Sequence, residues 1–264
     1  MTEIVDDPSG VPPPRSALRF RRWVLGLAIL LTLGAVVAGL VKAIRDAREA
    51  AHNCNCRGTL KQLGLALLCY HQANGCLPPA YLLDKEGKPA HSWRMLVRRS
   101  WPEVDIPSYS FSEPWNGPHN SHLPRGYSIF NCRSLRNEDS PVTDYVAVVG
   151  PNTLWPGSKS ATLAKDGSDD DKILLIEVVN SDIPWMEPRD LTLEEALAVI
   201  QPKNGVGIGS RHTDGIHYVT ASDQVRTLDR NIDRESLKKL LTRDAAAPPS
   251  KAPPSGNAEG VGSL

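Results

Sequence analysis

The most prominent hydrophobic feature of the chain is an apolar run at residues 23–41, WVLGLAILLTLGAVVAGLV, which contains no charged residue. At about 1.5 Å per residue, a helix of this length spans close to the ~30 Å hydrocarbon core of a bilayer. A helix also satisfies its own backbone hydrogen bonds, which hydrocarbon cannot do. The run therefore predicts one transmembrane helix, with membrane lipid as its partner.

The residues that flank this run favour a retained anchor over a cleaved signal peptide. A signal peptide has a shorter apolar stretch and a small-residue cleavage site, whereas the 22 residues before this run are long and Pro-rich. Four basic residues precede the run and three follow it, so the positive-inside rule gives a small preference for a cytoplasmic N-terminus. These residues are Arg15, Arg19, Arg21 and Arg22, then Lys42, Arg45 and Arg48.

A helical pattern continues beyond the apolar run. Apolar residues recur there at spacings of three and four, as expected for a packed helix face: Leu60, Leu63, Leu67 and Tyr70. Gly58 and the Asn/Cys-rich residues 53–55 predict a kink in this helix. Gly75, followed by Pro78 and Pro79, predicts its end.

Three later stretches have the character of strands: residues 145–149, 172–179 and 216–228. The second is almost continuously apolar, which predicts a central strand. The third is interrupted at Ser222 and Asp223, which predicts a hairpin of two short strands.

Two short helices are predicted from their capping residues. Thr192 and Glu195 form a capping box that opens a helix, and Pro202 closes it. Asp233 is the predicted N-cap of a helix over residues 234–241. Together with the strands, these elements predict an α+β fold, in which a long N-terminal helix packs on a small antiparallel sheet and long Pro-rich loops join the elements.

Composition divides the 264 residues into four regions. We expect a disordered cytoplasmic leader at 1–22, the transmembrane helix at 23–41, an extracytoplasmic α+β domain at 42–243 and a disordered Pro/Ala-rich tail at 244–264. Thirty Lys and Arg balance thirty Asp and Glu, which argues against nucleic acid as a partner.

Residues 47–81 read AREAAHNCNCRGTLKQLGLALLCYHQANGCLPPAY and resemble the opening of the bacterial domain of unknown function 1559 (DUF1559) family. HSWR, EPWNGPHN, DYVAVVGPNTLWPG, IPWMEPRDL and SRHTDGIHYVTASDQVR then follow in the family's order, up to about residue 241. The residues that carry the resemblance include Leu60, Lys61, Gln62, Tyr70, His71, Pro78, Pro79, Trp93, Arg94, Pro114, Trp115 and His212.

The family is similar to the major pseudopilins of type II secretion, and this similarity implies a role. It implies a non-catalytic, pseudopilin-like structural or assembly protein, anchored in the bacterial inner membrane with its domain on the periplasmic side. Its implied partners are further copies of itself or an envelope or secretion machine. The family's prepilin cleavage motif, GFTLIE-like, is replaced here by FRRWVLGLAIL, so the chain resembles a diverged member that stays as an anchored monomer or lateral oligomer.

Five cysteines in an oxidising compartment favour a disulfide. The resemblance suggests Cys56 with Cys132, because the family often has Cys at both positions, and Cys69 with Cys76 is the alternative. A metal site is not predicted from His52, Cys54 and Cys56, because this lone cluster places its two cysteines about 200° apart on a helix.

The sequence gives few other signs of ligand binding or catalysis. The acidic run at residues 166–171 keeps calcium open as a ligand of a receptor-like domain, although a solvated loop is the preferred interpretation. No catalytic motif is present, and His212 and His217 with Asp214 between them are weak candidates for a general base. We therefore expect no enzyme.

The tryptophans allow two interpretations. They could form a binding surface, or they could hold long loops on the sheet, and the second is preferred. They are Trp93, Trp101, Trp115, Trp155 and Trp185.

Overall fold

The computed structural model describes residues 15–97, 109–123, 128–132 and 140–243. The chain divides into an N-terminal unit, Met1–Ala50, and a globular unit, Ala51–Leu264. Residues 1–14 of the predicted leader, and all of the predicted tail at 244–264, lie outside the described residues.

The first helix, α1 (Arg15–Asn74), begins earlier than the sequence predicted. The predicted disordered leader ran to residue 22, but its residues 15–22 are helical, since Arg, Leu and Ala are good helix formers. The helix also continues through Gly58, where a kink was predicted. One glycine costs a helix only about 1 kcal/mol, which packing of the neighbouring turns outweighs. Gly75, with φ of 72°, follows the last residue as predicted.

The apolar side chains in the N-terminal unit are exposed, with Trp23 at 80% and Leu30 at 66% of their full surface. Within the described ranges, α1 is the one helix long and apolar enough to cross a membrane. Its length and composition agree with a single-pass membrane anchor.

Besides the C-terminal part of α1, the globular unit contains three short α-helices, two 3-10 helices and nine strands among its described residues. The helices are α2 (Trp93–Leu96), α3 (Leu193–Ala196) and α4 (Arg234–Leu241). The strands are β1 (Tyr81–Leu83), β2 (Pro89–Ser92), β3 (Tyr145–Val146), β4 (Val148–Val149), β5 (Ile173–Val179), β6 (Leu191–Thr192), β7 (Gly207–Ile208), β8 (Ile216–Thr220) and β9 (Val225–Leu228).

The main sheet has the order β3-β5-β8-β9, and β7 also pairs with β5. All of these pairs are antiparallel. Every residue of β5 is buried, which confirms its predicted central place. β1 and β2 form a separate antiparallel hairpin, and β4 pairs with β6 in parallel. The α+β fold with a long N-terminal helix and a small antiparallel sheet is thus confirmed.

One strand prediction was wrong in detail. Residues 145–149 were predicted as a single strand, but Ala147 separates β3 from β4, and the two strands pair with different partners. The amide of Ala147 donates to the Asp190 carboxylate at 2.9 Å instead of to a strand. A tertiary contact therefore divides the predicted strand.

The sheet has a hydrophobic core on each face. Val219 and Tyr218, neighbours on β8, belong to different cores, as the alternation of side chains along a strand requires. The predicted helix face, with Leu60, Leu63 and Leu67 all fully buried, packs in the first core. The second core includes residues from α3 and α4.

Candidate functional site

A buried cluster of side chains with sulfur, nitrogen and oxygen donor atoms lies where several elements of the globular unit meet. Cys56 comes from α1, Glu177 from the centre of β5, Cys132 from the loop after the 3-10 turn Ser128–Phe130, and His212 from the loop before β8. One donor atom from each of the four residues lies within 4.8 Å of all the others, and all four residues are buried. We call these residues the four-residue cluster.

The distances within the four-residue cluster are short. The Sγ atoms of Cys56 and Cys132 are 2.9 Å apart. Cys132 Sγ lies 3.2 Å from His212 Nε2, and this nitrogen lies 3.7 Å from Glu177 Oε1. The donor atoms therefore converge on one small volume.

Hydrogen bonds from the backbone fix the positions of the cluster residues. The amide of Cys132 donates to Asp144 Oδ2 at 2.9 Å, and the amide of His212 donates to Ser210 Oγ at 3.1 Å. The Arg230 guanidinium donates to the carbonyl of His212. Side chains of Asp144, Ser210 and Arg230 thus hold the backbone of Cys132 and His212 in place.

The electrostatics of the cluster favour negative charge on sulfur. A hydrogen bond with Cys132 lowers the pKa of the Cys56 thiol to about 4, although burial opposes the shift, and His212 adds a hydrogen bond and its charge. The same environment raises the pKa of Tyr145 well above its usual value, through burial first and then through the charge of Glu177.

Glu177 is the cluster residue with the least complete hydrogen bonding. Its Oε2 accepts from the amide of His217 at 3.0 Å, but its Oε1 is buried and accepts no hydrogen bond among the described residues. The nearest cationic groups to Oε1 are the imidazoles of His217, at 3.5 Å, and His212. Burying a carboxylate oxygen in this way is costly unless positive charge compensates it.

The profile of a family described as a protein of unknown function (DUF1559) matches residues 45–173. This match agrees with the family resemblance seen in the sequence. No curated protein and no solved structure matches the chain. Two of the cluster residues, Cys56 and Cys132, lie within the DUF1559 match, and Glu177 and His212 follow it.

The cysteine predictions can be compared with these positions. Cys56 and Cys132, suggested as a pair by the DUF1559 resemblance, do come together, although no disulfide joins them in the structure. Of the alternative pair, Cys69 is exposed and Cys76 is buried, and no disulfide joins them. Cys54 is exposed, so the structure does not place it with Cys56.

The sequence missed the cluster as a unit. It assigned no metal ligands, treated Glu177 as a strand residue, and named His212 as a DUF1559 motif residue and a weak candidate for a general base. One signal was available: Glu177 is the single charged residue in the apolar run ILLIEVV. A carboxylate at the centre of a buried strand is rare unless it has a partner.

The other DUF1559 motif residues serve mainly in packing. On α1, Leu60 is buried, Gln62 is exposed, Tyr70 is half-buried, and Lys61 pairs with Asp223 Oδ2 at 2.6 Å in the β8–β9 turn. His71 Nε2 accepts from the amide of Leu163 at 3.3 Å. Further along the chain, Pro78 and Pro79 are buried, Trp115 is half-buried, and the Pro114 carbonyl accepts from Asn120 Nδ2 at 3.0 Å.

Arg94 of the DUF1559 motif is part of a second buried polar network. Its guanidinium lies 2.7 Å from Asp190, and neither side chain is appreciably exposed. Asp190 also accepts from Trp93 Nε1 at 3.2 Å. The network joins α2 to the segment before β6.

Three tryptophans are fully buried. Trp93 and Trp155 lie with ring centres 5.5 Å apart, and Trp185 stacks on Phe130 at 5.6 Å. The prediction that tryptophans hold loops to the core is confirmed for these three. Trp101 lies outside the described residues.

Three of the four aspartates in the acidic run have protein partners for their carboxylates. Asp169 is buried and pairs with Arg243 at 2.6 Å, and Asp171 pairs with Arg226 at 2.7 Å. Asp166 accepts from the amide of Ser168 at 3.0 Å. This geometry favours a salt-bridged loop over a calcium-binding one.

The candidate base, His217, lies 3.2 Å from Asp214 and 3.5 Å from Glu177. Burial lowers the pKa of His217, but the hydrogen bonds and charges of these two carboxylates outweigh it and raise the pKa above its usual value. The side chains of His212, His217 and Glu177 have no exposed surface. Their burial does not favour reaction with a substrate from solvent.

Proposed function

We propose that the chain is a non-catalytic, membrane-anchored structural or assembly protein of the cell envelope, similar in role to the pseudopilins of type II secretion. The observation that supports this most is the dual character of α1. Its N-terminal part exposes a continuous apolar surface. In the part from Cys56 onward, Leu60, Leu63 and Leu67 are buried in the globular core. A helix of this kind suits a domain that is held at a membrane surface.

We place the anchor in the bacterial inner membrane, with the globular unit on the periplasmic side. The exposed thiols of Cys54 and Cys69 allow a test of this orientation, because a membrane-impermeant maleimide reaches them only from their own side. In intact spheroplasts we expect labelling of the wild-type chain and its loss in the double variant Cys54→Ser, Cys69→Ser. Labelling that requires lysis would reverse the orientation.

The assembly part of the proposal is tested by photo-crosslinking in native membranes. A photoreactive residue is placed at Leu30, Leu31 or Leu33, all exposed in the N-terminal unit. Leu30 and Leu33 lie about 60° apart around the helix, and Leu31 lies about 100° or more from both. Two versions of the chain with tags of different size are co-expressed. We expect light-dependent dimers and higher ladders that contain both tags.

The contrasting function is an anchored receptor-like domain that acts as a monomer. That function predicts a single monomer band at all three positions, and such a result would refute self-assembly. A ladder that lacks the second tag would instead indicate a different envelope protein as the partner.

A further inference from the structure

The donor atoms of the four-residue cluster are those that a structural zinc ion uses. Zinc in proteins is bound by thiolate sulfur, imidazole nitrogen and carboxylate oxygen, and its structural sites have four protein ligands in a tetrahedron. Calcium and magnesium instead require oxygen ligands throughout. We propose that Cys56, Cys132, His212 and Glu177 bind one zinc ion that fastens α1 to the sheet. The proposal does not depend on the chain's assembly.

The geometry is close to what zinc requires. With Zn–S near 2.3 Å and Zn–N or Zn–O near 2.0 Å, the donors of a tetrahedral site are roughly 3.3 to 3.8 Å apart. Three of the separations in the structure are 2.9 Å between the sulfurs, 3.2 Å from Cys132 Sγ to His212 Nε2 and 3.7 Å from that nitrogen to Glu177 Oε1. The other three separations are each no more than 4.8 Å, so side-chain rotations that move the donors by about 1 Å bring all four to tetrahedral spacing.

The charge distribution distinguishes zinc from a disulfide. A disulfide would join the two sulfurs and leave the buried Glu177 Oε1 with only the imidazoles of His217, at 3.5 Å, and His212, at 3.7 Å, as its nearest partners among the described residues. A divalent cation uses this oxygen as a ligand and compensates the charge of the carboxylate. Zinc is bound by thiolate rather than thiol sulfur, so uptake of the ion is coupled to pH.

Neighbouring groups supply the outer contacts that metal sites need. The amide of His217 fixes Glu177 Oε2 at 3.0 Å, which leaves Oε1 directed at the other donors. The amide of Cys132 is held by Asp144, and that of His212 by Ser210. Such partners orient ligands before the metal arrives. Four protein ligands leave no open position for a substrate, so the role of the ion is structural.

The test uses the full chain, purified in detergent with reductant and freed of metal by a chelator. Co²⁺ is then titrated in, because tetrahedral cobalt bound by thiolates has intense visible bands and a near-ultraviolet charge-transfer band. We expect one Co²⁺ per chain, displaced by one Zn²⁺, and a rise in the melting temperature on binding.

Variants assign the ligands. Glu177→Gln keeps the shape of the side chain but removes its charge, and we expect it to weaken binding by more than the roughly 10- to 100-fold cost of losing an outer contact. Cys132→Ser should weaken the near-ultraviolet charge-transfer band of bound Co²⁺, because one of the two sulfur ligands is lost. Cys54→Ser and Cys69→Ser, which change exposed thiols, are the matched controls and should bind as the wild type does.

Three results would overturn the proposal. The first is a reduced wild-type chain with native near-ultraviolet circular dichroism that takes up no Co²⁺. The second is unchanged binding in both Glu177→Gln and Cys132→Ser. The third is a disulfide between Cys56 and Cys132 in native membranes. It would be seen if both cysteines resist an alkylating reagent in the membrane and react with it only after reduction.

Discussion

The packing of α1 on the sheet is tested most sharply by replacing two leucines that lie two residues apart. Leu63 is fully buried in the first core, whereas Leu65 is 53% exposed. Both become Ala within the same helix, so the change in helix propensity is the same. A difference between the two variants therefore measures burial alone.

The magnitude follows from the atoms that Leu63→Ala removes. Three carbon groups at about 0.8 kcal/mol each amount to roughly 2.4 kcal/mol of lost transfer free energy. The cavity left in the first core adds to this, so we expect a loss of about 3 to 4 kcal/mol in the free energy of unfolding. For a domain of this size the melting temperature should fall by about 6–16 °C. Leu65→Ala should change the free energy by less than about 0.5 kcal/mol.

The assay is thermal unfolding of the full chain in detergent, followed by near-ultraviolet circular dichroism. The signal from Trp93, Trp155 and Trp185 reports on the globular unit, because all three are buried there. Equal shifts for Leu63→Ala and Leu65→Ala, or a shift below 1 °C for Leu63→Ala, would refute the packing of this helix face.

Three further predictions concern stability measured in the same way. Gly64→Ala should destabilise, because its new Cβ would lie 2.7 Å from Val219, whereas Gly58→Ala meets nothing within 4 Å and should stabilise by about 0.5–1 kcal/mol; a gain in both would contradict the close helix–sheet approach. Asp190→Asn leaves Arg94 buried without its counter-charge and should cost about 3–5 kcal/mol, so a loss under 1 kcal/mol would show that the pair is not buried. Burial lowers the pKa of His91 below 6.5, so the folded state prefers the neutral ring, and stability should be lost as pH falls below 6.5. His91→Gln should show a flatter pH profile between about pH 7 and 5, and an unchanged acid slope would contradict this.

Features encoded by neighbouring residues were predictable from the sequence. The capping box of Thr192 and Glu195 and the N-cap Asp233 stand where predicted, because each cap depends on residues three apart. The β8–β9 turn also falls at Ser222 and Asp223, and Asp223 has a positive φ of 61°.

Features that depend on distant residues were not predictable in the same way. The division of residues 145–149 depends on Asp190, more than forty positions away. The four-residue cluster depends on contacts between residues 76 and 80 positions apart. The β1–β2 hairpin was also missed, although its turn is local: Asp84 accepts from the amides of Glu86 and Lys88.

The central claim, that lipid surrounds the apolar part of α1, is tested by alkaline carbonate extraction of membranes from cells that make the full chain. We predict that the wild-type chain stays in the membrane pellet. A Leu30→Lys, Leu33→Lys variant, which puts two charges into the apolar run, should be released, because each charge costs about 2.5–3.5 kcal/mol at the centre of a bilayer. Complete release of the wild-type chain into the supernatant would contradict the anchor and the proposed function that depends on it.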